Sequence, residues 1–140
     1  MNISASLISV PLATIAIVVI NSIWFGPKTF YPIWWKAMGK EMKKPEDRDT
    51  SGKTMLRLFG GSFAAALAQA IVLFVAIFAS GFSIAGGAIM GLGFGVVAAG
   101  ASLAHRLFGE QGFKVWIIEV AADIIALMAA GAIIAAFVAH

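Results

Sequence analysis

Four apolar stretches, each about as long as a bilayer is thick, leave this chain few folds to choose from. A transmembrane helix needs about 20 mostly apolar residues to cross ~30 Å of hydrocarbon. The first stretch runs from about Ile3 to Ile23, the second from about Leu58 to Ala79 and the third from about Ile84 to Ala104, all without a charge. The fourth, from about Val115 to Val138, holds two acids, Glu119 and Asp123. Their length, their Ala, Leu and Met content and the lack of period-two alternation exclude transmembrane strands. Charged residues make up only 12% of the chain, about half the roughly 25% of a soluble domain. The sequence therefore predicts an all-α polytopic membrane protein, one domain over residues 1–140 with four transmembrane helices. The first stretch reads as a retained helix rather than a signal peptide, because no Lys or Arg precedes Lys28 and the run is longer than an h-region.

Basic residues give the topology. Residues 24–57 hold Lys28, Lys36, Lys40, Lys43, Lys44, Arg48, Lys53 and Arg57, and residues 105–114 hold Arg106 and Lys114. The Ser80–Ser83 turn and the N-terminal tail hold none, and the C-terminus offers only His140. Every Lys and Arg thus falls on one face, which the positive-inside rule makes cytoplasmic, with both termini on the other side. Glu41, Glu46, Asp47 and Asp49 are interleaved with them, so topology explains the net charge of +3 and no nucleic-acid partner is expected. The lipid bilayer is the expected partner. Trp24, Trp34, Trp35 and Trp116 border the same face and read as membrane-interface anchors, since indole prefers the headgroup zone. After Tyr31 and Pro32, the residues Trp34, Trp35, Met38 and Met42 recur at helical spacing between Lys36, Lys40 and Lys43. This predicts a short amphipathic helix lying in the membrane surface, with Lys44–Lys53 following as a solvated loop.

The Trp24-Phe25-Gly26-Pro27 turn, the Trp34/Trp35 pair ahead of Met38-Gly39-Lys40, and His105-Arg106-Leu107-Phe108 leading into an acid-bearing helix carry a resemblance. The chain resembles the small four-helix bacterial membrane proteins grouped as a domain of unknown function. The resemblance spans almost the whole chain and implies a multi-pass protein of the bacterial cytoplasmic (inner) membrane. It implies no reaction.

Glu119 and Asp123 are the residues most able to carry chemistry. Four apart, they share a helix face, and at 1.5 Å per residue they lie about 7 and about 13 Å beyond Lys114. An acid at membrane depth should face a partner, water or the bundle interior. Such a pair could relay protons or bind a cation; alternatively, Glu119 snorkels to the interface or is neutralised by Arg106, Lys114 or Arg57. Thr14, Asn21, Gln69 and His105 sit at depths that would let an inward-turned bundle join them with both acids in a polar pocket open to the cytoplasm. The alternative is that each simply bonds a backbone carbonyl or a neighbouring helix. No metal site or cofactor is expected: the chain has no cysteine and no second His at ligand spacing.

Ser83, Gly87, Gly91, Gly95 and Ala99 recur every four residues on the third span, and Gly86, Gly93 and Gly100 form a second line. Such small-residue faces, here a glycine zipper in pattern, let membrane helices approach closely. Ala64 and Ala68, or Ala122, Ala126 and Ala130, are candidate receiving faces, and a seam between copies is the other possibility. The glycines do not form a nucleotide loop, because no strand–turn–helix or Lys-Ser/Thr follows them. No catalytic arrangement is present either. The expected function is that of a compact accessory or structural membrane protein that self-associates through the third helix or meets a membrane-protein partner. The alternative is a small proton- or cation-coupled transporter, or an ion-conducting protein, using the acids of helix four.

Overall fold

The computed structural model describes residues 3–26, 28–40, 51–81 and 83–138. Pro27 of the turn motif, Met42 and Lys43 of the expected surface helix, residues 44–50 of the expected loop and His140 lie outside them; within them that helix ends at Ala37, short of Met38. The described residues form seven α-helices: α1 (Ile3–Leu7), α2 (Ser9–Trp24), α3 (Tyr31–Ala37), α4 (Gly52–Met55), α5 (Gly61–Ser80), α6 (Ile84–Phe108) and α7 (Gly112–Val138). A π-helical turn, Leu56–Gly60, joins α4 to α5. Four helical runs are long and apolar enough to span a membrane: Ile3–Trp24, Gly52–Ser80, Ile84–Phe108 and Gly112–Val138.

Local chemistry explains the boundaries. The first span breaks at Ile8 because Pro11 has no N–H for the Leu7 carbonyl and its ring crowds that oxygen; Ile8 N instead bonds the Ala5 carbonyl at 3.3 Å. Thr29 Oγ1 closes α2 by donating toward the carbonyls of Ile23, Trp24 (2.9 Å) and Gly26 (3.1 Å). Gly81, at φ 67°, ends α5 in the left-handed conformation that suits glycine. Ser83 then starts α6 by accepting from Gly86 N at 3.2 Å. The expected loop does not extend through Gly52 and Lys53: Ser51 caps α4, its Oγ accepting from Thr54 N at 3.3 Å. Three of the four runs reach beyond the expected spans into charged residues, taking in Lys53 and Arg57, Arg106, and Lys114 respectively. A charge is barred from hydrocarbon, not from a helix that has emerged into water.

The centre of the bundle is α7. Eleven of its residues are buried, against four of α6, and it is apolar all round, as a central helix should be. On one side α2 and α5 pack on α7 and on each other. Their shared core includes Ala13, Ile17, Ala70, Leu73, Ile77, Ala126, Ala130 and Ile134. On the other side α6 packs along α7, while α5 and α6 scarcely touch.

Backbone proximity explains the α6–α7 contact. A Cβ at Gly91 would fall inside the Leu127 carbonyl and 2.9 Å from Met128 Cα; one at Gly95 would lie 2.8 Å from Ile124 Cγ1. A Cβ at Gly87 would strike the Gly131 carbonyl, and one at Gly131 the Gly87 carbonyl. The receiving surface is therefore Ile124, Leu127, Gly131 and Ala135, rather than either alanine row. Ala126 and Ala130 face the α2–α5 core, and Ala64 and Ala68 are exposed. Gly93 and Gly100 meet nothing within 4 Å. Substitutions should separate the two glycine lines. Gly91→Ala should cost about 1–3 kcal/mol through overpacking, whereas Gly93→Ala should be neutral or stabilising by roughly 0.5–1 kcal/mol. Denaturation in mixed micelles followed by circular dichroism measures both, and equal losses would refute the assignment.

Candidate functional site

The polar end of the bundle is tied together by tryptophans and one ion pair. Arg106, in the last turn of α6, donates from Nε to Glu119 Oε2 at 2.8 Å and places its second guanidinium nitrogen 2.7 Å from the same oxygen. Trp34 Nε1, on α3, donates to the other carboxylate oxygen at 2.9 Å. Arg106 also donates to Gln111 Oε1. The α6–α7 connection makes this possible by turning sharply: Glu110 adopts φ 57° and Gln111 N bonds the Arg106 carbonyl at 3.0 Å. Trp24 Nε1 donates to the Ile118 carbonyl and Trp116 Nε1 to the Ala99 carbonyl, both at 2.9 Å. Three of the four expected interface anchors thus direct their indole N–H into the protein. Trp35 stacks with Tyr31 and has Lys40 Nζ 4.6 Å over its ring.

Glu119 is thereby neutralised, and its side chain is only 15% exposed. Asp123, one turn deeper, has no hydrogen-bond or ion-pair partner among the described residues. It stands where three cavities meet. One, of about 480 Å³, is the groove left open between α5 and α6, with Gln69, Phe94, Val97 and Leu127 in its walls. The second, of about 660 Å³, lies under the surface helix and is lined by Phe25, Tyr31, Trp34, Phe59 and Glu119. A third, of about 440 Å³, runs between α2 and α5 past Asn21, Ser62 and Gln69.

Of the residues expected to form one polar pocket, Asn21, Gln69, Glu119 and Asp123 border these connected spaces. Thr14 does not: it is buried, with Oγ1 on the Val10 carbonyl at 2.8 Å. His105 is exposed in the last turn of α6 and lines none of the three. Asn21 and Gln69 also bond their own helices, Nδ2 to the Ile17 carbonyl at 3.0 Å and Nε2 to the Ala65 carbonyl at 3.2 Å. Among the described residues no group of three His, Cys, Asp or Glu stands together. Sequence reasoning missed Phe59 and Ser62, which reach the site through the π-turn. Such turns recur at functional sites, but the Leu-Arg-Leu-Phe-Gly-Gly run that precedes α5 carries no recognisable mark of one.

Four helical runs long and apolar enough to span a membrane, a polar end closed by an Arg–Glu–Trp tie, and an acid open to the grooves between helices define a polytopic membrane protein. The family model described as "Protein of unknown function (DUF1761)" matches residues 8–135, and the chain belongs to this family. Comparison with curated proteins and with solved structures gives no match.

The tie should behave as a coupled unit. Arg106→Ala leaves the Glu119 carboxylate unpaired, so it should destabilise more than the Arg106→Ala/Glu119→Ala double variant implies by addition. A double-mutant cycle should give a coupling of about 0.5–3 kcal/mol, toward the low end because the Arg106 side chain is 33% exposed and partly screened. Additive losses would show that the ion pair contributes nothing.

Proposed function

We propose that this protein is a small proton- or cation-coupled membrane transporter centred on Asp123, with no catalytic reaction of its own. The observation that carries this reading is Asp123 itself, an acid with no hydrogen-bond or ion-pair partner among the described residues, at the junction of three grooves. Intramembrane acids are costly and commonly mark ion or substrate pathways. Here the neighbouring Glu119 is taken up by Arg106 and Trp34, which leaves Asp123 free to accept a proton or pair with a cation. Gln69 and Asn21 border the same spaces and supply polar surface along them.

A second reading, a compact accessory membrane protein, draws support from the extent to which the remaining polar groups are satisfied within the chain. Self-association in that reading would use the open Gly93 and Gly100 line, because α7 fills the Gly87, Gly91 and Gly95 face.

Reconstitution in vesicles separates the two. The transport reading expects wild-type vesicles to dissipate an imposed proton or cation gradient and Asp123→Asn to bring the flux to background. No wild-type flux across a panel of cations and amines would leave only the accessory reading. Orientation belongs to the same proposal: a bacterial cytoplasmic membrane with both termini outside, supported by the charge distribution. The chain has no cysteine, so single replacements report cleanly. Lys53→Cys should react with an impermeant maleimide only from the cytoplasmic side and Ser80→Cys only from outside; the opposite pattern would reverse the topology.

A further inference from the structure

The pocket under the surface helix has walls unlike those of the other two cavities. Phe25, Tyr31, Trp34 and Phe59 line it together with the two acids. Phe25 meets Trp34 edge-on, with ring centroids 5.0 Å apart, and Tyr31 lies 5.9 Å from Trp34, so these three rings form a continuous wall, with Phe59 a further aromatic lining residue. Arg106 compensates Glu119 at 2.7 Å, so the uncompensated charge in this wall is that of Asp123.

Aromatic faces attract cations within about 6 Å of the ring centroid, and aromatic cages are a recurring solution for quaternary ammonium groups. A small inorganic cation, by contrast, gives up its water only to a set of several oxygens. One free carboxylate among aromatic rings matches a weakly hydrated, alkylated ammonium better than a metal ion. Asp123 is also where the pocket passes into the α5–α6 groove, whose walls include Val72, Phe94, Val97 and Leu127. That groove is apolar and open along its side, toward the lipid.

We infer that this site binds an amphiphilic organic cation, an alkylammonium whose charged head sits against Asp123 beside the aromatic wall and whose apolar body lies in the α5–α6 groove. The inference rests on the reading of Asp123 as the cation site and names its ligand class. The ligand is a free cation rather than a zwitterionic lipid. A lipid phosphate beside the ammonium would need a positive partner, and none of the residues lining this pocket is basic.

The test is equilibrium binding of radiolabelled decyltrimethylammonium to the full chain in nanodiscs of phosphatidylglycerol and phosphatidylethanolamine, with empty discs as background. Saturable binding of one cation per chain is expected, not displaced by decanol. Asp123→Asn should weaken it roughly tenfold or more. Phe59→Leu should weaken it by about three- to tenfold, the range of one aromatic–cation contact. Phe59 is 72% exposed, so its replacement leaves the core intact and the test survives if Asp123→Asn fails to fold. Uptake no greater than that of empty discs, or binding indifferent to both substitutions, overturns the inference. Unchanged binding in discs containing phosphatidylcholine supports a free cation; competition by that lipid overturns the choice in favour of a lipid headgroup. Binding with the expected dependences but without flux removes the transport reading and keeps this one. Asp123-dependent proton flux without binding does the reverse.

Discussion

Hydrocarbon offers no hydrogen bonds, so each polar group within a span must find its partner inside the protein. This constraint organises the whole bundle. Ser9, Thr14, Asn21, Ser22, Ser62, Gln69 and Ser102 each bond a carbonyl three or four residues earlier in their own span. Self-satisfied in this way, they leave helix association to close packing, as membrane helices generally require. The α6–α7 contact meets that need with backbone against backbone. Glu119 draws an arginine from α6 and an indole from α3. Asp123, one turn deeper, is the exception: no described residue hydrogen-bonds or pairs with it, and it opens onto the grooves.

The two acids therefore divide the labour of one helix face. They are one turn apart and chemically alike, yet one is paired with Arg106 and Trp34 and the other stands open. Depth alone does not separate them. The difference arises because the turn after α6 delivers Arg106 to the first acid, while the gap between α5 and α6 exposes the second. Environment, rather than residue type, assigns the roles.

Much of this architecture was legible because hydropathy and charge act on long windows. The four spans and the short helix at Tyr31 followed from where charges occur and where they do not, and the same distribution singles out Glu119 and Asp123 as the acids within a span. The period-four glycine line on the third span was equally plain, but its receiving surface was not. Ala126 and Ala130 are as small as any receiving residue, and which side of α7 they occupy depends on how three other helices arrange around it. Arg106, Lys114 and Arg57 were equivalent candidates to neutralise Glu119. Choosing among them needs the positive φ at Glu110, a non-glycine position where sequence gives little warning. The aromatic wall was hidden for a similar reason. Phe59 reaches the cavity through a π-turn, whose one-residue change of register falls outside the 3.6-residue periodicity from which helix faces are read.

The placement of α6 has a consequence for the space around it. It leans on α7 along one line of glycines and scarcely touches α5, held near its polar end by the Trp116–Ala99 hydrogen bond and the Arg106–Glu119 pair. Packed on α7 alone, α6 leaves the slot beside Asp123 open and takes no part in the core formed by α2, α5 and α7. The glycine line that lets two backbones close on each other is thus what turns the flank of α6 into the wall of a groove.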